Sequence, residues 1–350
     1  MNNKLIDITD CFQVKTSSFP LKSIIKRATY IDLYCEQKDT ILLGRIEHLK
    51  VSNNYLLISD IKNKVFLFDT LGKFQRYIGK NGGGPGEFNK ITDIDLIADR
   101  NIVGIWDSSR GRLYKYEINT GNFIDDVIIQ TYSVKMSFLN ENTYMFYAPE
   151  PFNYPETYKL LIYNNQGRII NKQLPVKVVN TKSTEIRAFP VHIYFSDTCF
   201  FIHESRNYSI LSFNNKSGDM TGGFEYTFSG QMDITLKTDF YDDKFQITGF
   251  ISQCIPLTNR YIYLKGVKEN KVLSIIYDLE GSKCFRTSTK IEDYEIFQNP
   301  LEPAGRQILY DLLDYSQYYT ILNNNNKLNM DEISKPKNRV FEQVIRLIYL

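Results

Sequence analysis

The sequence predicts an all-β fold, a six-bladed β-propeller with four-stranded blades, and three observations carry that expectation. The 25 Tyr, 23 Phe and single Trp make 14% of the 350 residues, a composition that suits pleated, half-buried strands. Short alternating segments come in sets of four, separated by Asn, Asp and Gly turn signals. The sets also repeat: a strand followed by a turn ends on Gly72, Gly121, Gly167, Gly218 and Gly281, at separations of 49, 46, 51 and 63 residues. A repeat of this length with four strands per unit is the signature of propeller blades, each of which buries its faces only against its neighbours.

Residues 1–26 form a lead-in segment. RATYIDLYC (27–35) and DTILL (39–43) read as strands that wait for a partner at the far end of the chain. The first full unit is IEHLKVS, YLLISD, KVFLFDT and KFQRYIG, starting at Ile46, and the second is TDIDLI, IVGIWD, RLYKYEI and NFIDDVI. Asp60 and Gly72 of the first unit correspond to Asp107 and Gly121 of the second. LLIYNNQG, ILSFNNKSG and SIIYDLEG mark three more units. In the third, APEPFNYPET (148–157) carries three prolines and reads as a protruding loop, because proline cannot serve a central ladder. Residues 300–338 read as a helical and loop insertion. Within it Ile308, Leu309, Leu312, Leu313 and Tyr319 fall near helical spacing, which predicts an amphipathic helix over 305–319, packed on the sixth blade. VFEQVIRLIYL (340–350) then pairs with the N-terminal strands, closing the ring and removing its exposed edges. The whole of 1–350 is one domain.

The stretch ISDIKNKVFLFDTLGKFQRYIGKNGGGPGEF (58–88), above all its FDTLGKF turn and its IGKNGGGPGEF connector, resembles a family of six-bladed propellers, NHL-repeat-like and largely uncharacterised, from Gram-negative gut anaerobes. The likeness is specific over the first two blades and elsewhere extends to strand order and glycine turns. It implies a periplasmic or cell-surface location, since members of that family carry a secretory or lipoprotein signal. It brings no reaction or ligand. MNNKLIDITDCFQ has neither the basic nor the apolar region of a signal, and Ile8-Thr9-Asp10 is not the small-residue context of a lipidated Cys11. A chain complete as written would be cytoplasmic.

Forty-two Lys and Arg against 40 Asp and Glu leave a net charge of +2, without the basic stripe that nucleic acid requires. No apolar run is long enough to span a membrane. The five cysteines, 11, 35, 199, 254 and 284, are odd in number and scattered, which argues against a disulfide framework or a zinc site. A monomer is expected.

KNGGGPGEF (80–88) does not fit a phosphate-binding loop. Its glycines are spaced wrongly, Pro85 stands where the lysine belongs, and a strand rather than a helix follows. Its glycines instead suit a connector that needs φ > 0 between blades. Asp60 and Asp107 repeat at one blade position and read as turn acids that accept backbone N–H groups. His192 and His203 are spaced to meet across adjacent strands of one blade, but nothing fixes further metal ligands. There is no nucleophile elbow.

These readings favour a non-catalytic binding or scaffold module that recognises a protein, peptide or glycan on the face around the channel mouth. The candidate face is His48, Lys62, Glu87, Trp106, Asp107, Arg110, His192, Glu204 and Arg206. No catalytic, cofactor-binding or metal-binding residue is assigned, although the channel of such a ring could take a cation such as calcium. The alternative is a lyase or hydrolase with a metal-assisted site in the central channel, a reading that rests on fold analogy.

Overall fold

The computed structural model describes residues 4–12, 24–36, 41–148, 158–176, 191–227, 249–286, 302–324 and 340–350, apart from 197, 205–208, 259, 269–270 and 306. Among the described residues strand pairing gives six sheets, five of four strands and one of five, and in the first five blades four consecutive strands run from the inside outward. Their inner strands are Ile46–Val51, Asp93–Ile97, Lys135–Asn140, Val191–Phe195, Gly249–Pro256 and Glu302–Gly305, which number blades 1 to 6. The chain is an all-β propeller with one short helix, as its composition and repeat predict.

The blades are held by apolar layers between neighbours. Leu57, Leu67 and Ile78 of blade 1 share one layer with Ile94, Ile105 and Tyr116 of blade 2. Trp106 and Leu113 of blade 2 share the next with Met136 and Phe146 of blade 3. Each strand therefore shows residues to both sides, and the second and third strands read as nearly continuous apolar runs, such as the buried Val65–Phe68.

One device recurs where the third strand turns into the fourth. Asp69, Asn164, Asn214 and Asp278 each accept two backbone N–H groups of the following turn on a single side-chain oxygen. The glycine that follows takes positive φ in the first four blades, at 87°, 77°, 72° and 74° for Gly72, Gly121, Gly167 and Gly218. The sequence signal is an Asp or Asn three or four residues before the glycine, a fixed Asx-turn chemistry.

Blade 6 joins the two ends of the chain. Its strands are Glu302–Gly305, Ile308–Leu313, Val344–Tyr349 and, outermost, Arg27–Ile31. Ring closure by 27–35 and 340–350 is thus as expected, whereas the described part of 39–43 is not a strand: residues 41–44 form a connector into blade 1.

The helix is also displaced from its expected place. Residues 308–313 form the second strand of blade 6, and the helix is Tyr315–Asn324. Two interactions decide this. Asp311 pairs with Arg346 on the neighbouring strand, Oδ1 accepting from Nε at 2.8 Å, with both side chains fully buried. Asp314 starts the helix with a reciprocal cap: its Oδ1 accepts the Gln317 N–H at 2.8 Å, and Gln317 Oε1 accepts the Asp314 N–H at 3.1 Å. The helix packs on blade 6 as expected, Tyr318 sharing a cluster with Leu313 and Val344. The insertion read over 300–338 thus begins with two blade strands. The proline loop 149–157 and the segment 325–339 lie outside the described residues.

The lead-in segment takes part in three blades. Lys4–Asp7 pairs in parallel with the outer strand of blade 4, Met220–Thr227. Cys11 then forms a disulfide with Cys284 on the outer strand of blade 5, with Cα atoms 5.3 Å apart. The chain next reaches blade 6 as Arg27–Ile31. Spacing alone argued against a disulfide, but a separation of 273 residues hides a contact that ring closure creates. Cys35 and Cys254 are buried free thiols, and Cys199 is half-buried. No helix among the described residues is long and apolar enough to cross a membrane.

Blade 5 stands back from the axis. The inner strand of blade 4 meets blade 6 directly, the Gln307 N–H donating to the Phe195 carbonyl at 2.9 Å. Blade 5 fills the wedge behind, where Ile255, Tyr263 and Ile276 meet Tyr194 of blade 4 and Leu309 and Ile348 of blade 6.

Candidate functional site

Successive side chains of an inner strand point to opposite faces of its sheet, so residues two apart share a face. In blade 1 these are His48 and Lys50, in blade 2 Asp93 and Asp95, and in blade 3 Lys135 and Ser137. Most of them, with Glu302 of blade 6 and Ile193 and Phe195 of blade 4, line a central cavity of about 260 Å³. Five of the six blades contribute to its wall. The volume is just below the range of about 300–1,000 Å³ usual for small-molecule sites, so it takes one small molecule or the end of a chain.

Two carboxylates of blade 2 fix the wall to blade 3. Asp93 accepts the Ile94 N–H at 3.0 Å on Oδ1 and the Met136 N–H at 2.9 Å on Oδ2. Asp95 Oδ2 accepts the Ser137 hydroxyl at 2.5 Å and the Phe138 N–H at 2.8 Å. Burial works against ionisation of Asp93, but Lys135, Lys50, His48 and the Met136 N–H outweigh it and hold the carboxyl below its ordinary range. For Asp95 burial prevails and the carboxyl is raised.

Each of the two inner-strand histidines, His48 and His192, lies beside an acid. His48 Nδ1 is 3.3 Å from Asp93 Oδ1, and His192 Nδ1 is 3.3 Å from Glu302 Oε2. Burial pushes His48 down despite Asp93, so its ring is neutral at pH 7. Burial also opposes ionisation of Glu302, yet His192, Lys135 and His48 bring it below its ordinary value. His192 and His203 face one another across paired strands, their rings stacked with centroids 6.4 Å apart, as their spacing predicts. Lys50 and Lys135 have no hydrogen-bond or ion-pair partner among the described residues.

The remaining candidates lie away from this cavity. Trp106 is fully buried, its indole N–H donating to the Ser133 carbonyl at 3.0 Å, so it offers no recognition surface. Asp107 is buried too. Its Oδ2 accepts the Asn89 and Lys90 N–H groups at 2.7 and 3.2 Å, and its Oδ1 those of Ser109 and Arg110 at 3.0 and 3.2 Å. Asp60 repeats the arrangement in blade 1 with Gly44, Lys62 and Lys64. Both acids bind a turn to the connector that enters their own blade, the role read from their repetition.

Glu87 folds back over the glycine connector, accepting the Gly84 N–H at 2.8 Å, so its own carboxylate sits where a phosphate would. Arg110 clamps the same loop from outside, donating to the Glu87 and Gly82 carbonyls at 2.7 and 2.9 Å. Lys62 is exposed. Glu204 accepts from the Tyr147 hydroxyl at 2.6 Å and from Lys159 at 2.8 Å, joining blade 4 to blade 3. Arg206 lies outside the described residues.

Of the nine candidates the structure brings His48 to the cavity wall, while His192 is buried beside the wall residue Glu302. Sequence reasoning missed Lys50, Asp93, Lys135 and Glu302. Their signal is a charged residue within an otherwise apolar first strand, as in TDIDLI, but only the closed ring shows that such residues face one another. Among the described residues no three His, Cys, Asp or Glu side chains converge as a metal site.

A family model described as a domain of unknown function (DUF4934) matches residues 3–344. Two crystal structures share the fold. One is a Bacteroides fragilis protein described as a candidate exported protein, with a TM-score of 0.70 and 15% identity over 99% of each chain. The other is a member of the DUF4221 family from Bacteroides vulgatus, with a TM-score of 0.51 and 10% identity over 93% of this chain and 96% of that one. No curated protein matches the sequence.

Proposed function

The chain belongs to the DUF4934 family, a domain of unknown function, and from that premise we propose that it is a non-catalytic binding module of the cell envelope. In this reading it works as a monomer and holds a protein, peptide or glycan ligand, by a small end group, at the central channel. The observation that carries it is the cavity itself, where His48, Asp93, Lys135, Ile193 and Glu302 arrive from five blades on rigid strands. Convergent polar groups in a largely preformed pocket are what recognition of one ligand requires. The envelope location draws on the Cys11–Cys284 disulfide, which belongs to an oxidising compartment, and on the likeness to a candidate exported protein. Kinship with NHL-repeat propellers rests on the FDTLGKF turn and the glycine connector.

One observation favours the rival lyase or hydrolase. The carboxylate of Asp93 beside His48 Nδ1 favours the tautomer that leaves Nε2 as an acceptor, the state a general base needs. The serine of the lining, Ser137, donates its hydroxyl to Asp95 rather than to His48.

The test is a thermal-shift screen of the purified chain against defined oligosaccharides, peptides and small metabolites, with product analysis of every hit. The expected result is a rise in melting temperature for one chemical class, lost in Lys135→Ala, with the ligand recovered unchanged. A product that accumulates with time and vanishes in His48→Ala would replace this reading with the enzyme. A shift that Lys135→Ala and His48→Ala both leave intact would place recognition elsewhere.

A further inference from the structure

We infer that the central channel binds a small zwitterion, of the class of a free α-amino acid, its carboxylate held by Lys50 and Lys135 and its ammonium by Glu302. This rests on the channel as the binding site, and narrows what it takes.

The argument starts from which polar groups of the wall are already engaged. Both oxygens of Asp93 are occupied by backbone N–H groups and His48. Asp95 Oδ2 is occupied by Ser137 and Phe138. Lys50 and Lys135 have no partner among the described residues, and Glu302 uses Oε2 toward His192 while Oε1 has none. The groups left over therefore carry both signs: two ammonium groups and one carboxylate oxygen.

Charge balance points the same way. Asp93 and Glu302 are held ionised and His48 is held neutral, so these two acids offset the two lysines, while the third acid of the wall, Glu47, is paired with Arg45 at 2.9 Å. A ligand of one net charge would upset that balance in a half-buried site, where an uncompensated charge is costly. A neutral polyol would leave both lysines desolvated against hydroxyl groups, which are weaker partners than a carboxylate. A molecule with one carboxylate and one ammonium leaves the balance unchanged and pairs both lysines and the remaining oxygen of Glu302. The cavity of about 260 Å³ admits something of that size, and Phe195, Ile193 and Tyr310 on its wall offer apolar surface for a side chain.

The experiment is calorimetric titration of the full chain with the twenty proteinogenic amino acids. The best ligand is then titrated as its N-acetyl derivative, which lacks the ammonium, and as its amide, which lacks the carboxylate; D-glucose serves as the neutral probe. At least one amino acid is expected to bind, and capping either end should weaken it at least about tenfold, the loss of one charge-assisted contact. Glu302→Gln should lose discrimination against the N-acetyl form, and Lys50→Met or Lys135→Met discrimination against the amide. Lys50→Met serves alone should Lys135→Met fail to fold. Capped forms that bind as well as the free amino acid would overturn the inference, as would silence from all twenty. Glucose binding that disappears in Lys50→Met would also overturn it while leaving the channel as the site. Turnover of any probe would instead overturn the binding reading on which it rests.

Discussion

At the scale of single residues, the buried acids divide into those that build the ring and those that face its channel. Asp107 satisfies four backbone N–H groups from a fully buried position. Asp107→Ala leaves those donors unpaired and should cost at least about 3 kcal/mol, each donor that water does not reach contributing about 1–3; urea denaturation measures it, and ligand binding in the folded fraction should not change. The channel groups give a pH signature instead. His48 is depressed below the ordinary imidazole value of 6.5, so the unfolded chain binds its proton first. Its contribution is fully present above about pH 6.5 and is lost as pH falls toward the lower folded value. Glu302 and Asp93 are likewise depressed, from 4.5 and 3.8, and add a second loss below those values. Urea midpoints from pH 8 to 3 should therefore fall in two stages, and His48→Gln should remove the first. A flat profile between pH 7 and 5 would contradict the assignment. The turn role of Asp107 was legible because Asp60 repeats it one blade earlier. The channel set was not, because Asp93, Lys135 and Glu302 each stand alone in a separate strand and only closure brings them together.

At the scale of elements, the sequence misleads where two periods fit one segment. RQILYDLL satisfies helical spacing, yet Ile308–Leu313 is a strand because Asp311 must lie beside Arg346 on the neighbouring strand. The Asp314–Gln317 cap, four residues apart counting both ends, marks the true helix start and was there to be read. Asp314→Ala should cost about 1 kcal/mol and lower the helical part of the circular dichroism without opening the ring. The disulfide is an element-scale staple. Cys11→Ser should cost about 2–4 kcal/mol by urea denaturation, and reductant should bring the wild type to the same midpoint. An unchanged midpoint would mean that the strap holds by its strand pairing and apolar contacts alone.

At the scale of the whole molecule, the number of blades and the joining of the ends were legible from repeats and from unpaired terminal strands. The direct contact between blades 4 and 6 was not, since it depends on how six wedges share one axis. Ring closure makes the ends unequal. Deleting 344–350 removes a strand paired on both sides within blade 6 and should abolish cooperative unfolding. Deleting 1–7 removes one parallel edge strand and should leave a folded ring; equal effects of the two deletions would contradict closure at blade 6. The strap has a consequence for how the chain is made. Lys4–Asp7, Cys11 and Arg27–Ile31 precede in the chain the strands that hold them, which end at Thr227, Arg286 and Tyr349. During synthesis these residues must wait for their partners to emerge, so the ring stays unlocked while the chain is made and closes as the final act.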